Sequence, residues 1–289
     1  AIDNLWKIMP LTLFFAFSYR RLLTLLMLLF VSACSTLPTD KLRIDTSLSA
    51  QGKNSRVRHI VLHYTVADTP RSIKILTEKD VSSHYLITDE TPPTVYQLVD
   101  ESERAWHAGV SQWYDHTDLN TSSIGIEIVN EGRREDGSWP AYNPAQIEVL
   151  KLLLHDLVAR HRVTPANIVG HSDVAPQRKI DPGPQFPWRE LAQEGLGRWY
   201  DEPLAQHYTM QFEREGLPST RTIQQWLKHI GYPTPTHGQP DEETKNVVRA
   251  FQMHYRPARH DGLVDAETAG ILKAIVSPQP AQDLSVGAL

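Results

Sequence analysis

The chain has 289 residues, 40% of them hydrophobic and 22% charged, with a formal net charge of -5. That length suits one medium domain plus a smaller one, with enough apolar residues for a sizeable core. The acidic balance gives no reason to expect nucleic acid as a partner, and the single cysteine, Cys34, excludes an intrachain disulfide.

Arg20-Arg21 precede an apolar stretch from Leu22 to Ala33, which runs into Val31-Ser32-Ala33-Cys34-Ser35. A basic region, an apolar segment too short to span a bilayer comfortably and small residues before a cut site form a bacterial export signal. A cysteine directly after small residues resembles the lipobox of bacterial lipoproteins. That resemblance implies cleavage before Cys34, lipid attachment there and, with Ser35 next, an outer-membrane address. An uncleaved anchor over Leu11 to Ala33 is the alternative, and Arg20-Arg21 would interrupt it. The chain opens with Ala1 and its first methionine is Met9, so residues 1–8 are expected not to belong to the natural product. Residues 35–55 are polar and read as a tether.

From Arg56 to Tyr200 strands alternate with helices. Val57 to His63 is a predicted strand, and Pro70 to Lys79 a predicted helix with proline in its first turn. Tyr85 to Ile87 and Thr94 to Val99 are strands around a turn at Pro92-Pro93. Ser123 to Val129 is a strand with Ile124, Ile126 and Ile128 at alternate positions, so Glu127 faces away from that stripe. Asn143-Pro144-Ala145-Gln146 opens a helix with a capping box. Ile147, Leu150, Leu154, Leu157 and Val158 then make one apolar face as far as His161. The pattern is a mixed α/β layer architecture. Beyond Leu217 the texture changes to three short helices: Thr220 to Ile230, Asp241 to Tyr255, and Ala266 to Val276 capped by Asp265. Residues 277–289 read as a tail.

Three dispersed residues carry the chemistry. His63 ends the run Ile60-Val61-Leu62, His171 follows Ile168-Val169-Gly170, and Asp181 sits in Lys179-Ile180-Asp181-Pro182-Gly183. Two imidazoles and one carboxylate can hold Zn²⁺ and leave a fourth position for water, the form of a catalytic site. Each residue also has a plainer reading. A strand-end histidine can be a hydrogen-bonded structural residue, and Asp181 a turn former. Glu127 can be a surface carboxylate and Lys179 a solvated cation.

Five segments resemble, in order, the zinc-dependent N-acetylmuramoyl-L-alanine amidases of the type 2 family. They are Val61-Leu62-His63-Tyr64-Thr65, Ser82-Ser83-His84-Tyr85, Trp106-His107-Ala108-Gly109, Ser123-Ile124-Gly125-Ile126-Glu127, and Gly170-His171-Ser172-Asp173 running on to Gly183. The resemblance covers Arg56 to Trp199. It implies a mainly antiparallel central sheet flanked by helices, with His63, His171 and Asp181 as zinc ligands. Glu127 is then the catalytic base and Lys179 the stabiliser of the transition state. Tyr64, His84, Trp106, His107 and Asn130 are candidates to line the substrate groove. His59, His116, His155, His161, His207, His229, His237, His254 and His260 show no partner pattern and read as surface or structural.

The segments Ile223-Gln224-Gln225-Trp226-Leu227, Ala250-Phe251-Gln252 and Asp261-Gly262-Leu263 resemble a three-helix peptidoglycan-binding module. Phe251, Trp226 and Leu227 read as its core. The expected organisation is a signal segment 1–34, a linker 35–55, a catalytic domain 56–200, a binding module 201–276 and a tail 277–289. The expected protein is a monomer in the bacterial envelope. It is held to the membrane by lipid and acts on peptidoglycan and muropeptides. The module is expected to be separable, with a chain ending near Gly216 keeping its activity on small substrates. Two readings stay open beside this one: a peptidoglycan receptor without catalysis, and a non-haem Fe(II) enzyme, since a two-His-one-carboxylate set also describes such sites and His171-Ser172-Asp173 has their H-x-D form.

Overall fold

The computed structural model describes residues 44–278. The export segment, Cys34 and the chain from residue 279 lie outside the described residues. The chain divides into two units at residue 53. Of the first, residues 44–53 are exposed and carry no helix or strand.

The second unit opens with β1 (His59–Tyr64), buried along its whole length. Helix α1 (Thr69–Glu78) follows, capped by Asp68, whose side chain accepts from the Arg71 N–H. Strands β2 (Tyr85–Ile87) and β3 (Val95–Gln97) come next, then a small hairpin of β4 (Gln112–Trp113) and β5 (His116–Thr117). Strand β6 (Ser123–Ile128) leads to the long α2 (Pro144–His161), which has the predicted capping box between Asn143 and Gln146. Strand β7 (Ile168–Gly170), one turn of helix α3 (His171–Val174) and α4 (Trp188–Gln193) complete this part.

The central sheet has the order β3-β2-β6-β1-β7. The architecture is mixed α/β with flanking helices, as expected, but the strand direction corrects the sequence reading. β1 pairs parallel with β6 and with β7, β2 pairs parallel with β6, and only β2 and β3 are antiparallel. The cause lies in the connections. Chain leaving β1 returns through α1, and chain leaving β6 returns through α2; a helical crossover restores the same direction, whereas only a tight turn reverses it. Continuous apolar runs such as Ile60-Val61-Leu62 fit strands covered on both faces.

Because side chains alternate along a strand, register sorts them into rows. Leu62, Ile126 and Tyr85 share one row and pack with Leu150, Leu154 and Leu157 of α2. His63, Glu127 and Leu86 form the next row, on the opposite face. Leu86 packs there against Leu76 of α1.

Four helices follow where the sequence reading expected three: α5 (Glu202–Glu215), α6 (Thr220–His229), α7 (Glu242–Tyr255) and α8 (Ala266–Val276). Helix α5 is capped by Asp201, with Pro203 in its first turn. It packs along α8 where Gly270 lets the backbones close up; a Cβ there would collide with Thr209.

These helices do not keep a core of their own. Val61, Val169, Val174 and Trp113 form one cluster with Ile223, Leu227, Ile230, Tyr232 and Phe251. The expected boundary near residue 200 is thus crossed by a shared core. Leu227 and Phe251 lie in that core with Trp226 packed on it, as the sequence suggested. Among the described residues no helix is long and apolar enough to cross a membrane.

Candidate metal centre

Parallel strands β6, β1 and β7 lie side by side and end at one edge of the sheet, the edge where open α/β sheets bind ligands. His63 is the register partner of Glu127. Leu62 pairs with Gly170, so His171, next in the chain, comes level with His63. Asp181 is brought in by its carbonyl, which accepts the Ser172 N–H at 2.8 Å, while Tyr142 Oη donates to the Pro182 carbonyl at 2.7 Å. Gly170 permits this approach: a Cβ there would stand 2.6 Å from Pro182 Cδ.

His63 Nδ1, His171 Nδ1 and Asp181 Oδ2 are each 3.0 Å from the other two. All three residues are buried, and they are the one such group among the described residues. Three donors bound to one tetrahedral zinc at about 2.0–2.2 Å stand roughly 3.3 Å apart, so this triangle fits a single ion. The tautomer fits as well. His171 Nε2 lies 3.0 Å from the Ala108 carbonyl, which can only accept, so Nε2 carries the proton and Nδ1 is left bare.

Burial, then the neighbouring His171, lowers the His63 pKa to about 4, so the ring is neutral near pH 7. Glu127 is driven the other way. Burial first, and the charge of Asp181 second, push its pKa well up, with Lys179 pulling against them. Glu127 Oε2 is enclosed and has no hydrogen-bond partner in the protein. A carboxylate with a raised pKa and a free oxygen facing a cavity is the form of a proton-transfer group.

A cavity of about 240 Å³ brings His63, Glu127, His171, Lys179 and Asp181 together, with Tyr64, Trp106 and an edge of His107 on its wall. Trp106 is 53% exposed and stacks under the Arg104 guanidinium, 4.4 Å from the ring centre. A wider cleft of about 640 Å³ lies beyond Trp106, towards Pro233, and holds none of the trio.

Two residues expected at the groove stand off it. His84 is fully buried, with Nδ1 accepting the Gly125 N–H at 3.0 Å and Nε2 facing Arg56 and the Glu103 carbonyl. The Asn130 side chain accepts from the Gly132 N–H, shaping the turn after β6. Asp173 of the H-x-D pattern points elsewhere. Its Oδ2 accepts from the Gly170 N–H and from His254 Nδ1, both at 2.8 Å, and its Oδ1 from Tyr232 Oη at 2.7 Å. Both oxygens are committed, so the pattern is not a ligand pair here. No local sequence signal ties Asp173 to His254, since they are 81 residues apart.

Comparison with known proteins gives the chain's relatives. Residues 53–184 match the family described as N-acetylmuramoyl-L-alanine amidase, and residues 217–272 match a peptidoglycan binding domain family. The chain is 41% identical over 242 residues to N-acetylmuramoyl-L-alanine amidase AmiD of Escherichia coli (strain K12), covering 81% of this chain and 87% of that protein. Its structure resembles AmpDh3 from Pseudomonas aeruginosa, also solved with anhydromuramic pentapeptide, with a TM-score of 0.76 and 42% identity over 81% of this chain and 97% of that one. It also resembles E. coli AmiD solved with the substrate anhydro-N-acetylmuramic acid-L-Ala-D-gamma-Glu-L-Lys, with a TM-score of 0.71 and 41% identity over 80% of this chain and 93% of that one. Matched at this level over four fifths of its length, the chain belongs to the N-acetylmuramoyl-L-alanine amidase family.

Proposed function

We propose that this amidase hydrolyses the bond between N-acetylmuramic acid and L-alanine, in peptidoglycan or its anhydro-muropeptide fragments, with Zn²⁺ held by His63, His171 and Asp181. The observation that carries the reading is the triangle of donor atoms at 3.0 Å, opening on the cavity that also holds the unpartnered Glu127 Oε2. The relatives solved with anhydromuramoyl peptides support the substrate class.

Zn²⁺ held by these three residues would supply an acidified water, with a pKa of about 7, and would polarise the substrate carbonyl. Glu127 Oε2 can take a proton from an attacking water and return it to the leaving nitrogen, the role its raised pKa suits. Lys179, on the cavity wall, puts a cation where negative charge gathers on the former carbonyl oxygen. Tyr64 and Trp106 give the substrate two aromatic surfaces. The committed oxygens of Asp173 remove the H-x-D pair from the Fe(II) reading, and a complete donor set beside Glu127 weighs against a receptor without catalysis.

The envelope address, with Cys34 lipidated and the enzyme on the outer membrane facing the periplasm as a monomer, belongs to the same proposal. So does wall binding by the C-terminal helices, supported by the family match over residues 217–272. Metal analysis of the purified protein, beside mass spectrometry of sacculi and anhydro-muropeptides after digestion, tests the whole. One equivalent of zinc and release of free stem peptide are expected. A metal-free protein with full activity would overturn the zinc assignment.

A further inference from the structure

His107 lies behind His63. His63 Nε2 and His107 Nδ1 are 3.0 Å apart, and only one of the two can carry the shared proton. The next contact decides which. His107 Nε2 is 3.1 Å from Ser123 Oγ, and Ser123 Oγ is 2.5 Å from the Leu119 carbonyl. A carbonyl only accepts, so the single serine proton goes to Leu119. The serine lone pair then accepts from His107 Nε2–H, leaving His107 Nδ1 bare. It accepts from His63 Nε2–H, and His63 Nδ1 is left bare, facing His171 and Asp181.

We infer that His107 is a positioning residue of the metal centre: with Ser123 it fixes the tautomer and the ring orientation of His63. The inference rests on the proposed metal site. It also has a wider frame. The neighbouring residue, Ala108, orients the other imidazole ligand through its carbonyl, so one dipeptide holds both rings. Asn120 pins that dipeptide, its Oδ1 accepting from the His107 N–H at 3.1 Å and the Ala108 N–H at 2.8 Å. The His107 ring lies directly over Gly125 of β6, where a Cβ would collide with the imidazole. Both His107 nitrogens are spent inside the protein, so the edge it shows the cavity offers substrate no hydrogen bond. Outer partners of this kind set the orientation and basicity of a metal-bound histidine.

The test compares the full-length protein with His107→Phe, His107→Asn and Ser123→Ala. Phenylalanine keeps a flat ring without an acceptor, and asparagine offers an oxygen near the place of Nδ1. Zinc affinity is read by competition with a chromogenic chelator, and thermal unfolding of the metal-free protein is read alongside. His107→Phe is expected to weaken zinc about 10- to 100-fold, with the metal-free unfolding temperature and the KM at saturating zinc little changed. His107→Asn should recover most of the affinity, and Ser123→Ala should show a smaller loss in the same direction. Parental zinc affinity in His107→Phe would overturn the inference, as would an unchanged affinity in Ser123→Ala where the phenylalanine variant fails to fold. A raised KM with unchanged zinc affinity would make His107 a substrate contact instead. If the parent protein itself binds no stoichiometric zinc, it is the metal reading that falls, and the two failures are distinguishable.

Discussion

Glu127 stands opposite His63 in the parallel register of β6 and β1, so both side chains leave the same face of the sheet at the same level. The pair divides its duties by environment. His63 has its nitrogens committed to His107 and to the donor triangle, whereas Glu127 Oε2 has no partner. The proposed ligand and the proposed base are thus neighbours across one strand pair.

That division predicts the behaviour of Glu127→Gln. The amide keeps the size of the carboxylate and removes the base. Zinc content should stay at one equivalent while turnover falls by roughly 10²–10⁴, the usual worth of general acid–base catalysis. Lys179→Met should also keep zinc, with a loss nearer 10²–10³, typical of one group stabilising an oxyanion. Zinc content measured beside cleavage of the muramoyl–L-alanine bond checks both. Near-normal turnover with zinc bound would remove Glu127 from the mechanism.

His171→Ala separates ligand from base. Removing one of three donors should lose both zinc and activity, and added Zn²⁺ should not restore the parental rate. In the parent, a chelator should abolish activity and Zn²⁺ should return it. A His171→Ala protein that retains one equivalent of zinc contradicts the assignment.

The trio's positions were legible in the sequence because each member sits at the end of a local apolar run or in a proline-glycine turn: His63 lies within β1, His171 directly after β7 and Asp181 in a turn. The capping box at Asn143 and the cap at Asp265 were legible for the same reason, since a helix start is encoded within four residues. Strand direction was not. Whether β1 meets β6 parallel depends on how intervening helices return the chain, which no short window records. Helix α5 falls inside the expected module 201–276 but ahead of the three helices read there, although Asp201 and Pro203 mark its start. The outer partners were out of reach: His107 meets His63 across 44 positions and His254 meets Asp173 across 81, and nothing in either segment names the other.

Acid sensitivity should depend on Glu101. Hydrogen bonding from Arg160, against the cost of burial and with help from Tyr85 and His161, lowers its pKa from 4.5 to about 2. The group is more protonated in the unfolded chain over that interval, so stability falls as the pH drops. The contribution is fully present above about pH 4.5 and is gone once the pH passes below 2. Glu101→Gln should be less stable at neutral pH and should lose less on acidification from pH 5 to pH 3. Urea midpoints across that range test it; parallel curves for parent and variant would show that Glu101 does not carry the acid limb.

The lipid anchor is testable at one atom. Cys34→Ala removes the thiol that acylation requires, so the variant should take up no labelled fatty acid and should leave the membrane fraction. Unchanged acyl labelling would refute lipidation at Cys34.

The shared core makes the sharpest prediction about the C-terminal helices. Tyr232 and His254 both donate to Asp173, which is fully buried in the one-turn helix that begins with His171. His254 also stacks on Trp188 at 3.9 Å. A chain ending at Gly216 would strip both donors from a buried carboxylate and uncover Trp113, Val169 and Val174. Leaving a buried charge unpaired is among the costliest single changes to a fold. The truncated chain should therefore lose cooperative unfolding and activity even on small soluble anhydro-muropeptides, contrary to a tethered-module picture. Tyr232→Phe isolates one bond of the network. It should cost about 1.5–3 kcal/mol, the range for a hydrogen bond to a charged group, and leave wall binding unaffected. Denaturant unfolding of both variants, beside turnover on a soluble substrate, decides the matter: a truncated chain that unfolds cooperatively and turns over at the parental rate would show that Asp173 and the donor trio hold their places without the helices beyond residue 216.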